Sequence, residues 1–221
     1  MINMTITTSA NLAPSDTSKA TELYGDVYAV DTYGDVYAVD TLEGMTSDTL
    51  DDASDGMATE LYGEAYAVGD ETLTWVDVIS SMVDHGEVAM ATGEVTITAA
   101  ATGEEAYTSA VSQIMVEGAD IVIIKTKIAS ASSEAGSYDA LVTKFKAIDI
   151  EHKEDGTMRV IYNDKKTYDA DAIIDASGNI AIATVDAEVS GENTFLSVDA
   201  SVLAIDNELS QSTVVVASAV G

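Results

Sequence analysis

Apolar and polar residues alternate along much of the chain from residue 120 onward. Residues 121–128 begin as an apolar run and then alternate. Turn-forming residues, such as Ser177-Gly178-Asn179 and Asn163-Asp164, separate the segments that follow. Those segments are rich in β-branched residues and lie at 142–152, 158–162, 171–174, 180–189, 194–203 and 213–220. Because a short run with a period of two is typical of a half-buried strand, the pattern predicts a sandwich, a barrel or a meander.

Two segments before residue 120 fit the period of a short helix instead. Residues 75–85 follow Thr74, a helix-capping residue, and precede Gly86, which favours a helix end. Residues 103–117 follow Thr102, which has the capping-box spacing to Glu105. The apolar stripes of these helices would be Trp75, Ile79, Met82 and Val83 in the first, and Tyr107, Val111, Ile114 and Met115 in the second. Between the two segments, Thr92-Gly93 predicts a hairpin turn.

The predicted fold is therefore mainly β, as a sandwich, barrel or meander, with one or two short helices, and α+β is the alternative. Two regions are expected. Residues 1–70 form an acidic, tyrosine-rich repeat segment in β conformation that contacts its neighbours. Residues 71–221 form a β-rich core domain that carries the two short helices, near 75–85 and 103–117.

The first region contains internal repeats. The sequence Tyr-Gly-Asp-Val-Tyr-Ala-Val-Asp-Thr at residues 24–32 recurs without change at 33–41. A diverged copy at 58–68 matches residues 20–30 at an offset of 38 residues. Upstream, Thr46, Ser47 and Leu50 match Thr8, Ser9 and Leu12 at the same offset. A unit of about 38 residues has therefore been duplicated.

Six of the ten tyrosines lie in these repeats and alternate with smaller residues. This period predicts a half-buried strand, and the glycine after the first tyrosine predicts a bulge or bend. Because aromatic rings favour strand pairing and interfaces, the repeats predict a contact between subunits or between repeats. The interface candidates are Tyr24, Tyr28, Tyr33, Tyr37, Tyr62 and Tyr66. Two alternatives are a passive copy in a surface loop, left by replication slippage, and a platform that stacks on carbohydrate.

The formal net charge of −30 comes from 39 acidic and 9 basic residues. Residues 1–120 carry −22 of it, with Lys19 as their one basic residue, while residues 121–166 are nearly neutral. A nucleic-acid site needs clustered basic residues, so nucleic-acid binding is not expected. The acidic charge also opposes contact with anionic lipids, and no apolar run approaches the roughly 20 residues of a spanning helix, so membrane insertion is not expected.

The first nine residues contain neither a basic stretch nor a continuous apolar core, so an ordinary signal peptide is not expected. Cysteine is absent, which excludes disulfides, thiolate zinc sites and cysteine nucleophiles. The two histidines, His85 and His152, lie beside no serine motif and no ligand-spaced partner. The sequence therefore predicts a protein that is not an enzyme.

Calcium is the one cofactor that the acidic residues suggest, because hard cations take oxygen ligands from loops rich in Asp and Ser. Asp51, Asp55 and Gly56 match EF-hand positions one, five and six, but Ala53 and Tyr62 do not match positions three and twelve. A second candidate site consists of Asp169, Asp171 and Asp175. A solvated acidic loop explains either group more simply.

Abundant Ala, Thr, Ser, Val and Gly, β patterning and the lack of cysteine are typical of subunits assembled into particles. We therefore expect the protein to be a non-enzymatic structural subunit of a larger assembly. Within this class, we expect a virion protein of the decoration, tail or fibre type. Its partners would be copies of itself or other subunits of a particle or filament, at a virion or an extracellular surface. The alternatives are a surface-layer, filament or adhesin subunit and a calcium- or glycan-binding β module.

Overall fold

The computed structural model describes residues 3–12, 56–150, 159–166 and 178–221, and it describes side chains for Thr8, 56–150 and 178–221. Within these ranges the chain forms eleven strands and no helix. The strands are β1 (Asn3–Leu12), β2 (Met57–Val68), β3 (Thr72–Asp84), β4 (Val88–Thr102), β5 (Tyr107–Glu117), β6 (Ile121–Ser133), β7 (Gly136–Ile150), β8 (Arg159–Lys166), β9 (Asn179–Ser190), β10 (Phe195–Ile205) and β11 (Leu209–Val220). The predicted mainly β fold is confirmed.

The strands form two sheets that pack face to face as a sandwich. The five-stranded sheet has the order β1-β5-β2-β11-β10, and the six-stranded sheet has the order β8-β6-β7-β4-β3-β9. Neighbouring strands run antiparallel except in the pairs β6–β8 and β3–β9. Strand β2 packs over β3 and β4, β5 packs over β4 and β7, and β10 packs over β9. Residues 57–68 were predicted to belong to the repeat segment. They lie in the same sandwich as the later strands.

The two predicted helices are wrong. Residues 75–85 lie almost entirely in β3, and residues 103–117 contain β5. Residues four apart in sequence share a face in a strand and also lie close together on a helix. The spacing of Trp75, Ile79 and Val83 therefore fits both a strand and a helix. In β5 the inward-facing positions include Thr108 and Ser112, whose polarity hid the period of two. The predicted turn at Asn163-Asp164 is also wrong, because both residues lie within β8.

Small side chains fill the interior of the sandwich. Alanine and valine make up most of the buried apolar residues, and Phe145 is the only buried aromatic among the side chains described. The larger fully buried side chains are Met57, Leu61, Met82, Ile97, Ile114, Ile124 and Leu141. Since side-chain volume sets the distance between packed sheets, small residues bring the two backbones close together.

At Gly63 and Gly93, neighbouring side chains leave no room for a Cβ atom. A Cβ atom on Gly63 would lie 2.8 Å from Val76 Cγ1 of the opposite sheet, and one on Gly93 would lie 2.3 Å from Phe145 Cε1 and 2.7 Å from Leu61 Cδ2. Strand β2 pairs without interruption through Gly63, and β4 pairs without interruption through Gly93. The predicted bulge at Gly63, the one repeat glycine among the described residues, and the predicted hairpin at residues 92–93 are therefore wrong, because both glycines serve packing and not a turn.

Several hydroxyl groups in this interior are paired, whereas those of Thr8, Thr126 and Ser210 have no hydrogen-bond partner among the described residues. Hydroxyl oxygens lie 2.9 Å apart in the pair Thr74–Ser212, which joins β3 to β11 across the sandwich. Two further pairs join β5 to β7, Thr108–Ser137 at 2.7 Å and Ser112–Thr143 at 2.8 Å. Because a buried hydroxyl without a partner is costly, these pairs fix which strands face each other.

Candidate interaction surfaces

One end of the sandwich presents two strand edges that are open within the described part of the chain. Strand β10 pairs there only with β11, and strand β9 pairs only with β3. The two edges lie one above the other, because β10 packs over β9. We call this end of the sandwich, formed by β9 and β10, the open end.

Strand β10 is exposed along its whole length. All eleven of its residues are solvent-exposed, which is true of no other strand whose side chains are described. The large apolar side chains include Phe195, which is 45% exposed, and Val202, which is 54% exposed. The other exposed large apolar residues of β10 are Leu196, Val198, Leu203 and Ile205. These six side chains are 39–54% exposed, so β10 has less of the burial that normally stabilises a strand.

The register with β11 assigns a face to each residue of β10. Residues directly opposite each other in an antiparallel pair project from the same face. Val198 is opposite Val216 and Val202 is opposite Ser212, and both partners on β11 are buried in the sandwich. The inner face of β10 therefore consists of Leu196, Val198, Ala200, Val202 and Ala204, all apolar, and the outer face carries Phe195, Leu203 and Ile205 among polar residues.

The edge of β10 also lacks the features that protect strand edges from pairing. Soluble sheets block open edges with lysine, proline, bulges or inward-pointing charges. Strand β10 contains no lysine or proline, its pairing with β11 has no bulge, and its one charged residue is Asp199. The strand is therefore a competent template for pairing with a further strand.

Hydrogen bonds hold both ends of β10 in place although its length is uncovered. The Asn193 side chain donates to the carbonyl oxygen of Gly221 at 3.0 Å, ahead of the strand. After the strand, the backbone N–H of Glu208 donates to the carbonyl oxygen of Ile205, and that of Asn207 donates to the Asn179 side chain. These hydrogen bonds fix the position of the exposed edge within the described part of the chain.

The outer face of the five-stranded sheet carries the two repeat tyrosines that the structure describes. Tyr62 and Tyr66 project outward from β2 and are half-buried. The Tyr62 hydroxyl donates to Glu64 at 2.7 Å, and the Gln211 side chain donates to the other Glu64 oxygen at 2.8 Å. Burial raises the pKa of the Tyr62 phenol, and the neighbouring Glu64 carboxylate raises it further. The hydroxyl is therefore a hydrogen-bond donor at neutral pH.

Tyr66 packs edge-on against Tyr107 of β5, with ring centroids 6.2 Å apart and ring planes at 62°. Such edge-to-face pairs are favourable beyond the area that they bury. Nearby on the same face, burial raises the pKa of Glu60, and one oxygen of this carboxylate has no hydrogen-bond partner among the described residues. These contacts show a face that is ordered by its own side chains.

Most of the predicted site residues lie outside the described part of the chain. Tyr24, Tyr28, Tyr33 and Tyr37 lie outside the described residues, and so do the calcium candidates Asp51, Asp55, Asp169, Asp171 and Asp175. His152 also lies outside them, while His85 lies in the turn between β3 and β4, where its backbone N–H donates to the carbonyl oxygen of Val88. The interface role of Tyr62 and Tyr66 stays a prediction.

One buried carboxylate, Asp139, stands out within the sandwich. It is fully buried, and its two oxygens accept hydrogen bonds from Thr108 at 2.7 Å and from Ser130 at 2.6 Å. Burial raises the pKa of Asp139 to about 6, although both hydrogen bonds lower it. Because no part of the side chain reaches solvent, we interpret it as part of the interior hydroxyl network.

The described part of the chain contains no group of three His, Cys, Asp or Glu residues that could hold a metal ion. The same residues include no helix long and apolar enough to cross a membrane.

Sequence reasoning recognised a strand at 194–203 but missed the open end. A signal was present, because apolar residues occupy both faces of this segment and it contains one charge. Its position at a sheet edge depends on pairing between distant segments, which no local pattern reveals. Comparison with protein-family models, with curated proteins and with solved structures found no match to this chain.

Proposed function

We propose that this protein is a non-enzymatic structural subunit of a larger assembly and that it contacts neighbouring subunits through the open end. The observation that carries the proposal is β10, an exposed strand whose inner face is wholly apolar, whose outer face carries large apolar residues among polar ones, and whose edge is unprotected. Contiguous exposed apolar surface is typical of protein contact sites. An open strand edge adds main-chain hydrogen bonds as a second source of affinity.

The proposal is tested by the size of the purified full chain and of two lysine variants. Val202→Lys places a charge on the inner face of β10, where Val202 is 54% exposed. Val88→Lys makes the same change on β4, where the side chain is 38% exposed. We expect sedimentation velocity and negative-stain images to detect assemblies that V202K disrupts and V88K leaves intact. A wild-type chain that stays at its monomer mass of 23.0 kDa at every concentration would contradict the proposal.

Within this class we propose a virion subunit of the decoration, tail or fibre type. Composition supports it: Ala, Thr, Ser, Val and Gly dominate, and cysteine is absent. A surface-layer, filament or adhesin subunit is the alternative. An antibody against the chain distinguishes the two, because it would label purified particles in the first case and intact cells in the second. Labelling of neither would contradict both.

The tyrosine face supports a second candidate function, the binding of carbohydrate. Tyr62, Glu64 and Gln211 place aromatic and hydrogen-bonding groups together on one outer sheet face, a combination that suits sugar rings. A glycan array probed with the full chain tests this function, with Tyr66→Ser as the variant expected to lose any signal. An array on which no glycan retains the chain would rule the candidate out.

A further inference from the structure

We propose that β10 pairs antiparallel with β10 of a second copy of this chain, around a two-fold axis that is normal to the sheet and passes midway between the two copies of Ala200. The inference rests on the proposed function, because it names the partner of the open end. It would join two five-stranded sheets into one continuous sheet of ten strands. Such a pairing uses the same surface on both copies, so it closes as a dimer and does not propagate into a fibre.

The length of β10 selects the register. In the register that pairs all eleven residues, Phe195 is opposite the partner's Ile205 and Ala200 is opposite the partner's Ala200. Opposed residues then always have the same parity, so inner-face residues meet inner-face residues. Both copies therefore keep their inner faces towards the interiors of their sandwiches, as a two-fold axis normal to the sheet requires.

In this register β10 is chemically complementary to itself. On the inner face, Val198 is opposite the partner's Val202, so the exposed valines near the axis cover each other. On the outer face, Asp199 is opposite the partner's Ser201, whose hydroxyl can donate to the carboxylate. The strand's one acidic residue thus has a donor beside it in each copy.

Charge also favours a second copy over a basic partner. The chain as a whole carries −30, but β10 contributes a single acidic residue to the surface that pairs. A basic protein would find few carboxylates on this strand, whereas an apolar strand finds matching apolar side chains. Repulsion between the two acidic chains is long-ranged, so we expect the dimer to strengthen as salt is raised.

The available area indicates a dimer of modest affinity. Eleven residues extend about 37 Å at about 3.4 Å per residue, and packed sheets lie about 10 Å apart, so the wall formed by β9 and β10 presents roughly 400 Å². Side chains such as Phe195 and Ile205 add to this wall. A standard interface buries about 800 Å² on each partner. Dimer formation should therefore depend on concentration.

The test is disulfide cross-linking of the full chain, which has no cysteine of its own. Ala200→Cys places two thiols opposite each other at the axis, with Cβ atoms about 5 Å apart. Ser197→Cys is the matched control on the same exposed strand. Ser197 lies opposite the partner's Leu203, so its two thiols would be about 20 Å apart. Under mild oxidation, we expect A200C to form a species of twice 23.0 kDa, and S197C to stay at 23.0 kDa.

A mixture of S197C with Leu203→Cys should also cross-link, because this register pairs positions 197 and 203. Equal cross-linking of A200C and S197C would overturn the register. If the wild-type chain assembles but A200C does not cross-link, the inference is wrong while the proposed function stands. If the chain is monomeric at every concentration and salt level, both are wrong.

A deletion of residues 20–41 in the A200C variant gives a further test. If this deletion stops the cross-linking, the inference is overturned, because β10 would then need those residues for its pairing.

Discussion

Strands β2 and β10 belong to the same sheet and have nearly the same length, yet their sequences follow different rules. In β2, small inward residues such as Gly63 and Ala65 alternate with outward Glu64 and Tyr66, and this matches one packed face and one outer face. In β10, apolar residues occupy both faces and all are exposed. Strands that read as apolar on both sides are normally covered on both sides. The comparison therefore supports our proposal that β10 contacts a neighbouring subunit.

The largest expected effect is the difference in stability between a substitution at a packed position and one at an exposed position. Gly63→Val would force side-chain atoms into Val76 and Val95 of the opposite sheet, so we expect it to lower the free energy of unfolding by about 3 kcal/mol or more. Ala200→Val adds the same kind of group to exposed β10 and should change it by less than about 0.5 kcal/mol. Chemical denaturation of both variants measures this. Equal losses would mean that β10 is packed like β2.

The next effect concerns the buried carboxylate. The pKa of Asp139 is about 6 in the folded protein against 3.8 in the unfolded chain, so the folded protein holds the proton more tightly. The contribution of Asp139 to the free energy of unfolding is therefore greatest below about pH 4. It falls by about 2–3 kcal/mol as the pH rises through about 6. We expect Asp139→Asn to flatten this part of the pH–stability curve. Asp199→Asn, on exposed β10, is the control that should leave its slope unchanged.

A smaller effect tests the interior hydroxyl pairs. Ser212→Ala leaves the Thr74 hydroxyl without its partner across the sandwich and should cost about 1–2 kcal/mol of unfolding free energy. Thr74→Val should cost a similar amount. The double variant removes both polar groups and should cost less than the sum of the two single changes. A double-mutant cycle by denaturation measures the coupling. Strict additivity would show that the pair contributes nothing.

The smallest effect concerns the tyrosine face. Tyr66→Ser removes the ring that packs on Tyr107 and should lower monomer stability by about 1 kcal/mol. If this face is an interface, as the sequence predicts, the variant should also reduce assembly size. Thermal unfolding and sedimentation separate the two effects. A variant unchanged in both measurements would indicate that the repeat tyrosines are passive copies.

The mainly β fold was predictable because strands such as β9 alternate in sequence between apolar residues that pack on the core, such as Val185 and Val189, and polar residues that face outward, such as Asp186. The helices at 75–85 and 103–117 were mispredicted because the interior accepts hydroxyls, so polarity no longer marks the outward face. Thr74, Ser80, Thr108 and Ser112 are all buried. Patterning assumes an apolar interior, and this sandwich departs from that assumption at positions where hydroxyls pair.

The open end could not be predicted for a different reason. The sequence correctly predicted a strand at β10. The exposure of this strand, however, follows from its place beside β11 at the edge of a sheet. Similarly, Gly63 was predicted as a bulge or bend and Gly93 as part of a hairpin turn, because local sequence does not show what lies across the sandwich. Local periodicity determines the type of element, whereas long-range pairing determines which faces are left uncovered.

Hydrogen–deuterium exchange of the full chain at low and high protein concentration tests most directly whether β10 is a pairing edge. The edge-facing amides of β10 have no pairing partner among the described strands of the monomer, whereas those of β2 are paired on both sides. We expect protection of residues 195–205 to rise with concentration while protection of residues 57–68 stays constant. Protection of β10 that is independent of concentration, in a chain that remains monomeric, would contradict the pairing of β10 with a second copy.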